Sequence, residues 1–247
     1  VAGALFCLGL MSVRAQTVDL ESGLVAYYPF NGNANDESGN GNDGTVNGAT
    51  FVGESGLRFS GSVSDYVEVA NTDLPSGSNP RTISGWVLTD DVSNWCQLFG
   101  YGNPSAGEFD INFRVFELYS TINGINVHYA GENARGSTLL EEGVWTQLTA
   151  TYDGGSTRLF INGVLDTSFG IDGVDTRSLV TVSEKVRMGN VVYREVIGSG
   201  AFKGEMKNIR IYNRALSEAE VAALYELEKP HVQLTTKAEG KGKVLVD

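Results

Sequence analysis

Proline, cysteine and histidine are scarce, at five, two and two in 247 residues. Each scarcity closes off a class of protein. One cysteine, Cys7, lies in the leader-like segment described below, so Cys96 is the only thiol in the rest of the chain. No disulfide framework or cysteine-based zinc site follows from a single thiol. A buried strand position beside Trp95 is the expectation for it. His128 and His231 have no Gly-x-Ser-x-Gly elbow to serve, which argues against a triad hydrolase. Gly198-Ser199-Gly200 lacks the lysine and the strand–helix setting of a phosphate loop. Basic residues are few as well: 18 Lys and Arg stand against 30 Asp and Glu, a formal charge of −12. Without a basic cluster, nucleic acid and anionic membrane surfaces are poor partners. The acidity reads either as the solubility charge of an exported protein or as a supply of carboxylates for calcium.

Long hydrophobic runs are missing too. The one sustained apolar stretch, residues 2–13, is too short to insert across a membrane and leads into Val13-Arg14-Ala15, a small-x-small pattern. It is expected to be an N-terminally incomplete signal peptide over 1–16, which implies a secreted or cell-surface protein. Phe6 stands before Cys7 where a lipoprotein box needs a small residue, which argues against a lipid anchor.

Glycine is what the chain has in quantity, 31 residues of it. From residue 24 a period-2 alternation recurs every 8–12 residues, the rhythm of an all-β sandwich. Strands are expected at 24–30, 45–52, 57–59, 66–69, 82–88, 95–101, 108–115 and 118–122. Others are expected at 126–129, 145–152, 157–161, 164–166, 186–188 and 206–212. Asn162-Gly163 marks a two-residue hairpin turn, because both positions need positive φ. A second tight connection is expected at Asp153-Gly154-Gly155. One short helix stands near the end. Ser217 and Glu220 form a capping box, Leu216 and Val221 a hydrophobic staple, and Pro230 a stop. The organisation read from this is a 17–23 linker, a 24–228 domain and a 229–247 tail. The tail alternates again, as the linker and start of a truncated second β domain or as a disordered extension.

Four stretches carry a family resemblance. They are GLVAYYPFNGNANDESGNGNDGT (23–45), RTISGWVL (81–88), VWTQLTATYDGGSTRLFINGVL (144–165) and FKGEMKNIRIYNRALSEAEVAALY (202–225). In this order they resemble laminin G-like jelly-roll domains of the concanavalin A-like lectin/glucanase superfamily. The resemblance implies an all-β, two-sheet antiparallel jelly-roll sandwich with one short C-terminal helix. It also implies secretion, further domains in the same polypeptide, and a glycan or extracellular protein as ligand. The tail's LTTKAEGKGKVLVD resembles the opening of an internalin-type B repeat.

Calcium takes six to eight oxygen ligands, and the loop 31–44 is dense in oxygen donors. Asp36 is the first candidate ligand for a structural Ca2+, with Asn31, Asn42 and Asn208 beside it. The last joins them only through the pairing of opening and closing strands that the resemblance implies. Many relatives carry an acidic pair just before RIYNRAL, where this chain has Lys207 and Asn208, and a lysine there would repel a cation. The alternative is a plain connection whose asparagines and glycines make turns.

The same fold hosts β-glucanases and polysaccharide lyases, so an enzyme is the competing reading. Glu108-Phe109-Asp110-Ile111-Asn112-Phe113 begins the laminarinase-type carboxylate strand but lacks the third carboxylate. Retaining hydrolysis needs a nucleophile and an acid/base about 5–5.5 Å apart, and Asp110 could only assist Glu108. The reading is therefore not an enzyme but a binding or adhesion module, with a glycoside hydrolase or lyase and a structural spacer as alternatives. Trp95, Tyr101, Tyr119, Tyr129 and Tyr193 are the candidate sugar platforms, standing near expected strand ends, unless core and rim consume them. Trp86 and Trp145 are assigned to the core or its edge.

Overall fold

The computed structural model describes residues 18–53, 56–70, 74–93, 96–101, 113–118, 125–129, 132–136, 138–168, 170–176, 185–190, 200–230, 237–239 and 243–245. Strands β1 (Leu24–Tyr28), β2 (Gly44–Asn47), β3 (Thr50–Phe51), β4 (Leu57–Ser60), β5 (Tyr66–Ala70) and β6 (Arg81–Thr89) come first. They are followed by β7 (Cys96–Tyr101), β8 (Phe113–Leu118), β9 (Ile125–Tyr129), β10 (Glu132–Arg135), β11 (Thr146–Tyr152) and β12 (Thr157–Ile161). The last are β13 (Val164–Leu165), β14 (Val174–Asp175), β15 (Lys185–Met188), β16 (Lys203–Tyr212), helix α1 (Glu218–Glu228), β17 (Lys237–Glu239) and β18 (Lys243–Leu245).

Two antiparallel sheets result. The first runs β13-β12-β11-β6-β16-β4-β3, with β1 also on β16 and β14 also on β12. The second runs β10-β9-β8-β7-β15-β5-β2. Alternation along the strands sends Ile83, Val87, Leu148, Ala150, Ile209 and Ile211 into one core cluster with Val67, Val69, Phe99 and Met188. Gly85 sits in the middle of this layer because nothing larger fits. A Cβ there would lie 2.5 Å from Ile209 Cδ1 and 3.0 Å from Phe99 Cζ.

The expected strand 45–52 is two strands in two sheets. β2 pairs with β5 in the second sheet, whereas β3 pairs with β4 in the first. Gly48, at φ 66°, makes the corner, a backbone conformation that costs glycine least. Two short strands, β10 and β14, were not expected. β8 spans the junction of the expected 108–115 and 118–122, whose remaining residues, 108–112 and 119–122, lie outside the described set. The pairing of β1 with β16 is as the resemblance implied, from Leu24 opposite Tyr212 to Tyr28 opposite Ile209.

Helix α1 forms where its signals stand. Ser217 Oγ accepts from Glu220 N, and the Glu220 side chain accepts from Ser217 N. Leu216, Val221 and Leu224 pack with Phe160 and Tyr212 in a second apolar cluster on the outer face of the first sheet. Asn162 and Gly163 both take positive φ, as a two-residue hairpin turn requires. In the tail, among the described residues, β17 and β18 pair only with each other, as a separate two-stranded sheet.

Candidate functional site

The loop 31–44 folds back beside β1 and is organised by one carboxylate. Asp36 Oδ1 accepts from the backbone N–H of Tyr27 and of Ser38, each at 2.9 Å, and Oδ2 accepts from Asn42 N at 3.0 Å. Asp43 Oδ1 in turn accepts from Asp36 N at 2.8 Å. Asn42 is locked on both sides. Its Nδ2 donates to Val25 O at 2.9 Å, and its carbonyl accepts from the buried Tyr28 hydroxyl at 2.6 Å. Burial pushes the Asp36 carboxyl up, but the bonds from Ser38, Tyr27 and Asn42 outweigh it and hold its pKa below the ordinary value.

Of the four metal candidates, the structure joins Asp36 and Asn42 directly. Asn208 meets them only through Tyr27, whose hydroxyl donates to Asn208 Oδ1 at 3.3 Å. Asn31 Oδ1 accepts from Asn33 Nδ2 at 3.5 Å. Among the described residues, no group of three or more His, Cys, Asp or Glu is arranged to hold a metal ion.

Lys207 does not enter this loop. A register shift between Lys207 and Arg210, with Asn208 at φ 51°, sets the lysine on the outer face of the first sheet. There its Nζ lies 4.2 Å from the centroid of the half-buried Trp145 ring. Burial lowers its pKa, against the pull of Glu228 and Glu205.

Beside it, α1 closes over a polar layer. Glu228 Oε1 accepts from Arg210 Nε at 2.7 Å, while Oε2 accepts from Trp86 Nε1 at 3.0 Å and from Gln147 Nε2 at 3.4 Å. Trp86 is 1% exposed and stacks on Tyr225 with centroids 5.7 Å apart. It is therefore buried under the helix, not between the sheets. Arg210 also lies 3.7 Å over the Tyr27 ring. Sequence periodicity gave no sign of this cluster, because Arg210 and Glu228 belong to different elements. The one hint was the polar residues Ser84, Gln147, Thr149 and Arg210, which alternate with the core residues Ile83, Leu148, Ala150 and Ile209.

Trp95, Tyr119 and Tyr193 lie outside the described residues, as do Glu108 and Asp110. The backbones of Tyr101 and Tyr129 are described. Tyr101 ends β7 opposite Phe113 and Val186, and Tyr129 ends β9 opposite Glu132. Cys96 is buried at the start of β7, as expected.

A family model described as the concanavalin A-like lectin/glucanases superfamily, of the laminin G type, matches residues 60–222. The chain belongs to this family. No curated protein matches it. Among solved structures it is similar to domain 4 of AbnA, a GH43 extracellular arabinanase from Geobacillus stearothermophilus, in complex with arabinotriose. The TM-score is 0.60 at 21% identity, covering 82% of this chain and 98% of that one. The binding domain of botulinum neurotoxin serotype G gives 0.63 at 15% identity, over 83% of this chain and 51% of that one. The Trypanosoma rangeli sialidase in complex with 2,3-difluorosialic acid gives 0.61 at 17%, over 82% and 32%. The chain thus spans about half of the toxin domain and a third of the sialidase. At these identities the likeness establishes the fold, which enzymes and binding domains share.

Proposed function

We propose that residues 24–228 form a non-catalytic binding and adhesion module of a larger secreted protein, which recognises an extracellular polysaccharide or protein. The observation that carries this reading is the correspondence with AbnA domain 4. That domain is matched over 98% of its length and was solved with arabinotriose bound. The incomplete carboxylate motif in the sequence Glu108–Phe113 supports a ligand that is held and not cleaved. Trp95, Tyr101, Tyr119, Tyr129 and Tyr193 are the proposed platforms, since aromatic faces stack on sugar rings. In this reading the 1–16 segment directs export and residues 229–247 lead into a following domain.

The bonds of Asp36 support a loop held by its own carboxylate, so calcium within 31–44 is not required. Affinity electrophoresis against arabinan, xylan, β-glucan and sialylated glycoprotein tests the reading. Retardation by at least one polymer, lost in Tyr101→Ala and Tyr129→Ala, is the expected result. Absence of retardation across the panel would sink the glycan branch. Release of reducing sugar, abolished by Glu108→Gln, would replace binding with hydrolysis.

A further inference from the structure

The chain contains Asn-Gly pairs at 31–32, 40–41, 47–48, 123–124 and 162–163. Such a pair can react with itself. With no Cβ on the second residue, its backbone nitrogen is unshielded and free to turn onto the asparagine Cγ. Asn123-Gly124 lies outside the described residues. The other four pairs differ in how firmly the fold holds them.

Asn162 is fixed in its hairpin turn. Its Oδ1 accepts from Gln147 N at 2.9 Å, and a Cβ built on Gly163 would fall 2.8 Å from Tyr225 Cβ. Asn47 ends β2, and a Cβ on Gly48 would lie 2.3 Å from Asp65 Oδ1 and 2.7 Å from Ser64 O. Turning the peptide plane at either glycine would disturb this packing. Asn40 is held through its amide, with Nδ2 donating to Leu24 O at 3.1 Å and to Ser38 Oγ at 2.9 Å. Asn31 has none of these restraints. It and Gly32 are both exposed, and nothing stands within 4 Å of a Cβ built on Gly32. Among the described residues, Asn31 Nδ2 and Gly32 N–H donate to nothing, and the long contact from Asn33 is the one bond on the Asn31 amide. The chain leaves the core at Phe30, which is buried, so the next two residues turn without moving packed side chains.

We propose that the fold singles out Asn31 as a self-modification site, where the side-chain amide becomes a carboxylate through a cyclic imide formed with Gly32. Gly32 N loses its proton to hydroxide and attacks Asn31 Cγ. The new C–N bond closes the ring, and the side-chain nitrogen takes up a proton and leaves as ammonia. Water then adds to one of the two ring carbonyls. Opening at one leaves an ordinary aspartate, and opening at the other leaves a β-linked isoaspartate. Water is the only co-reactant, and nothing is oxidised or reduced. The product adds one negative charge to a formal −12. When β-linked it also lengthens the backbone between Phe30 and the turn that Asp36 organises. The site does not rest on the binding reading above.

The test is incubation of the full chain in heavy-oxygen water at mildly alkaline pH, read by anion exchange, peptide mass mapping and isoaspartyl methyltransferase labelling. A more acidic form should accumulate, faster as pH rises, with one heavy oxygen in the new carboxylate at position 31. In the folded chain Asn31 should react on the order of tenfold faster than Asn40, Asn47 or Asn162, because those three must first open locally. In urea the four rates should converge. Asn31→Gln should remove the dominant product, since the longer side chain closes a less favourable ring. An unreacted Asn31 would overturn the proposal, and so would a folded chain in which Asn40, Asn47 or Asn162 reacts first. A ranking that persists unchanged in urea would also overturn it, by assigning the selectivity to sequence neighbours and not to the fold.

Discussion

Arg210 and Glu228 form an ion pair at 2.7 Å beneath the last turn of α1, with only 9% and 4% of their side chains exposed. A pair this deep gains little over well-packed apolar residues, but its halves cannot be separated without penalty. Glu228 also receives Trp86 and Gln147, so it fastens the helix to both β6 and β11.

Glu228→Ala should therefore destabilise the domain by about 3–5 kcal/mol, because it leaves the guanidinium buried without its anion. Urea unfolding checks this. Replacing both partners, as Arg210→Met with Glu228→Leu, should cost much less than the single change. Equal costs would show that the pair is not coupled.

At the other end of the helix, Ser217→Ala should cost about 1 kcal/mol by removing the acceptor for Glu220 N. A shift in urea midpoint without a change in slope is expected.

Asp36→Ala should cost about 2–4 kcal/mol, since three backbone N–H groups lose their acceptor. Its pH signature follows from a pKa held below the ordinary one. The stabilisation is complete above the unfolded-state value near 3.9 and disappears as pH falls through the folded value. Glu228 has the opposite sign. Burial raises its pKa despite Arg210, so its ionisation subtracts stability as pH climbs from the unfolded through the folded value. Urea midpoints across acid to neutral pH should show a shallower acid limb in Asp36→Ala than in the parent protein.

Gly85→Ala should cost about 1–3 kcal/mol through overpacking against Ile209 and Phe99. Pairing it with Ile209→Val should recover part of the loss, measured by thermal melting.

Much of this fold was legible because period 2 states which face of a strand is buried; β6 and β11 keep it throughout, and β16 keeps it on either side of the shift between Lys207 and Arg210. The helix and the Asn162-Gly163 turn were legible for a more local reason: each is written in side chains a few residues apart. Gly48 was not, since the alternation from Thr45 to Phe51 continues across the corner while the hydrogen-bonding partner changes sheet. Trp86 shows a second limit. Periodicity separated its face from that of Ile83 and Val87, but could not say that a helix from residues 218–228 would cover it. At the loop, the sequence singles out Asp36 as a candidate calcium ligand, and the structure shows it as the carboxylate that organises the loop. Its partners are backbone N–H groups, which leave no trace in side-chain composition.

The path of α1 also determines how the domain meets a pull. Leu24 lies opposite Tyr212, and Leu216 N donates to Thr82 at that same end of the sheet. Glu228 is tied to Trp86, four residues farther along β6. Tension applied directly to Leu24 and Tyr212 would unzip β1 from β16 one hydrogen bond at a time. With the helix fastened at Glu228, the load enters at Trp86 and Arg210, farther along the strands than the Leu24–Tyr212 end, and draws β1 lengthwise past β16, so their hydrogen bonds resist together. The helix thus converts a peeling geometry into a shearing one for as long as the Arg210–Glu228 clasp stays closed.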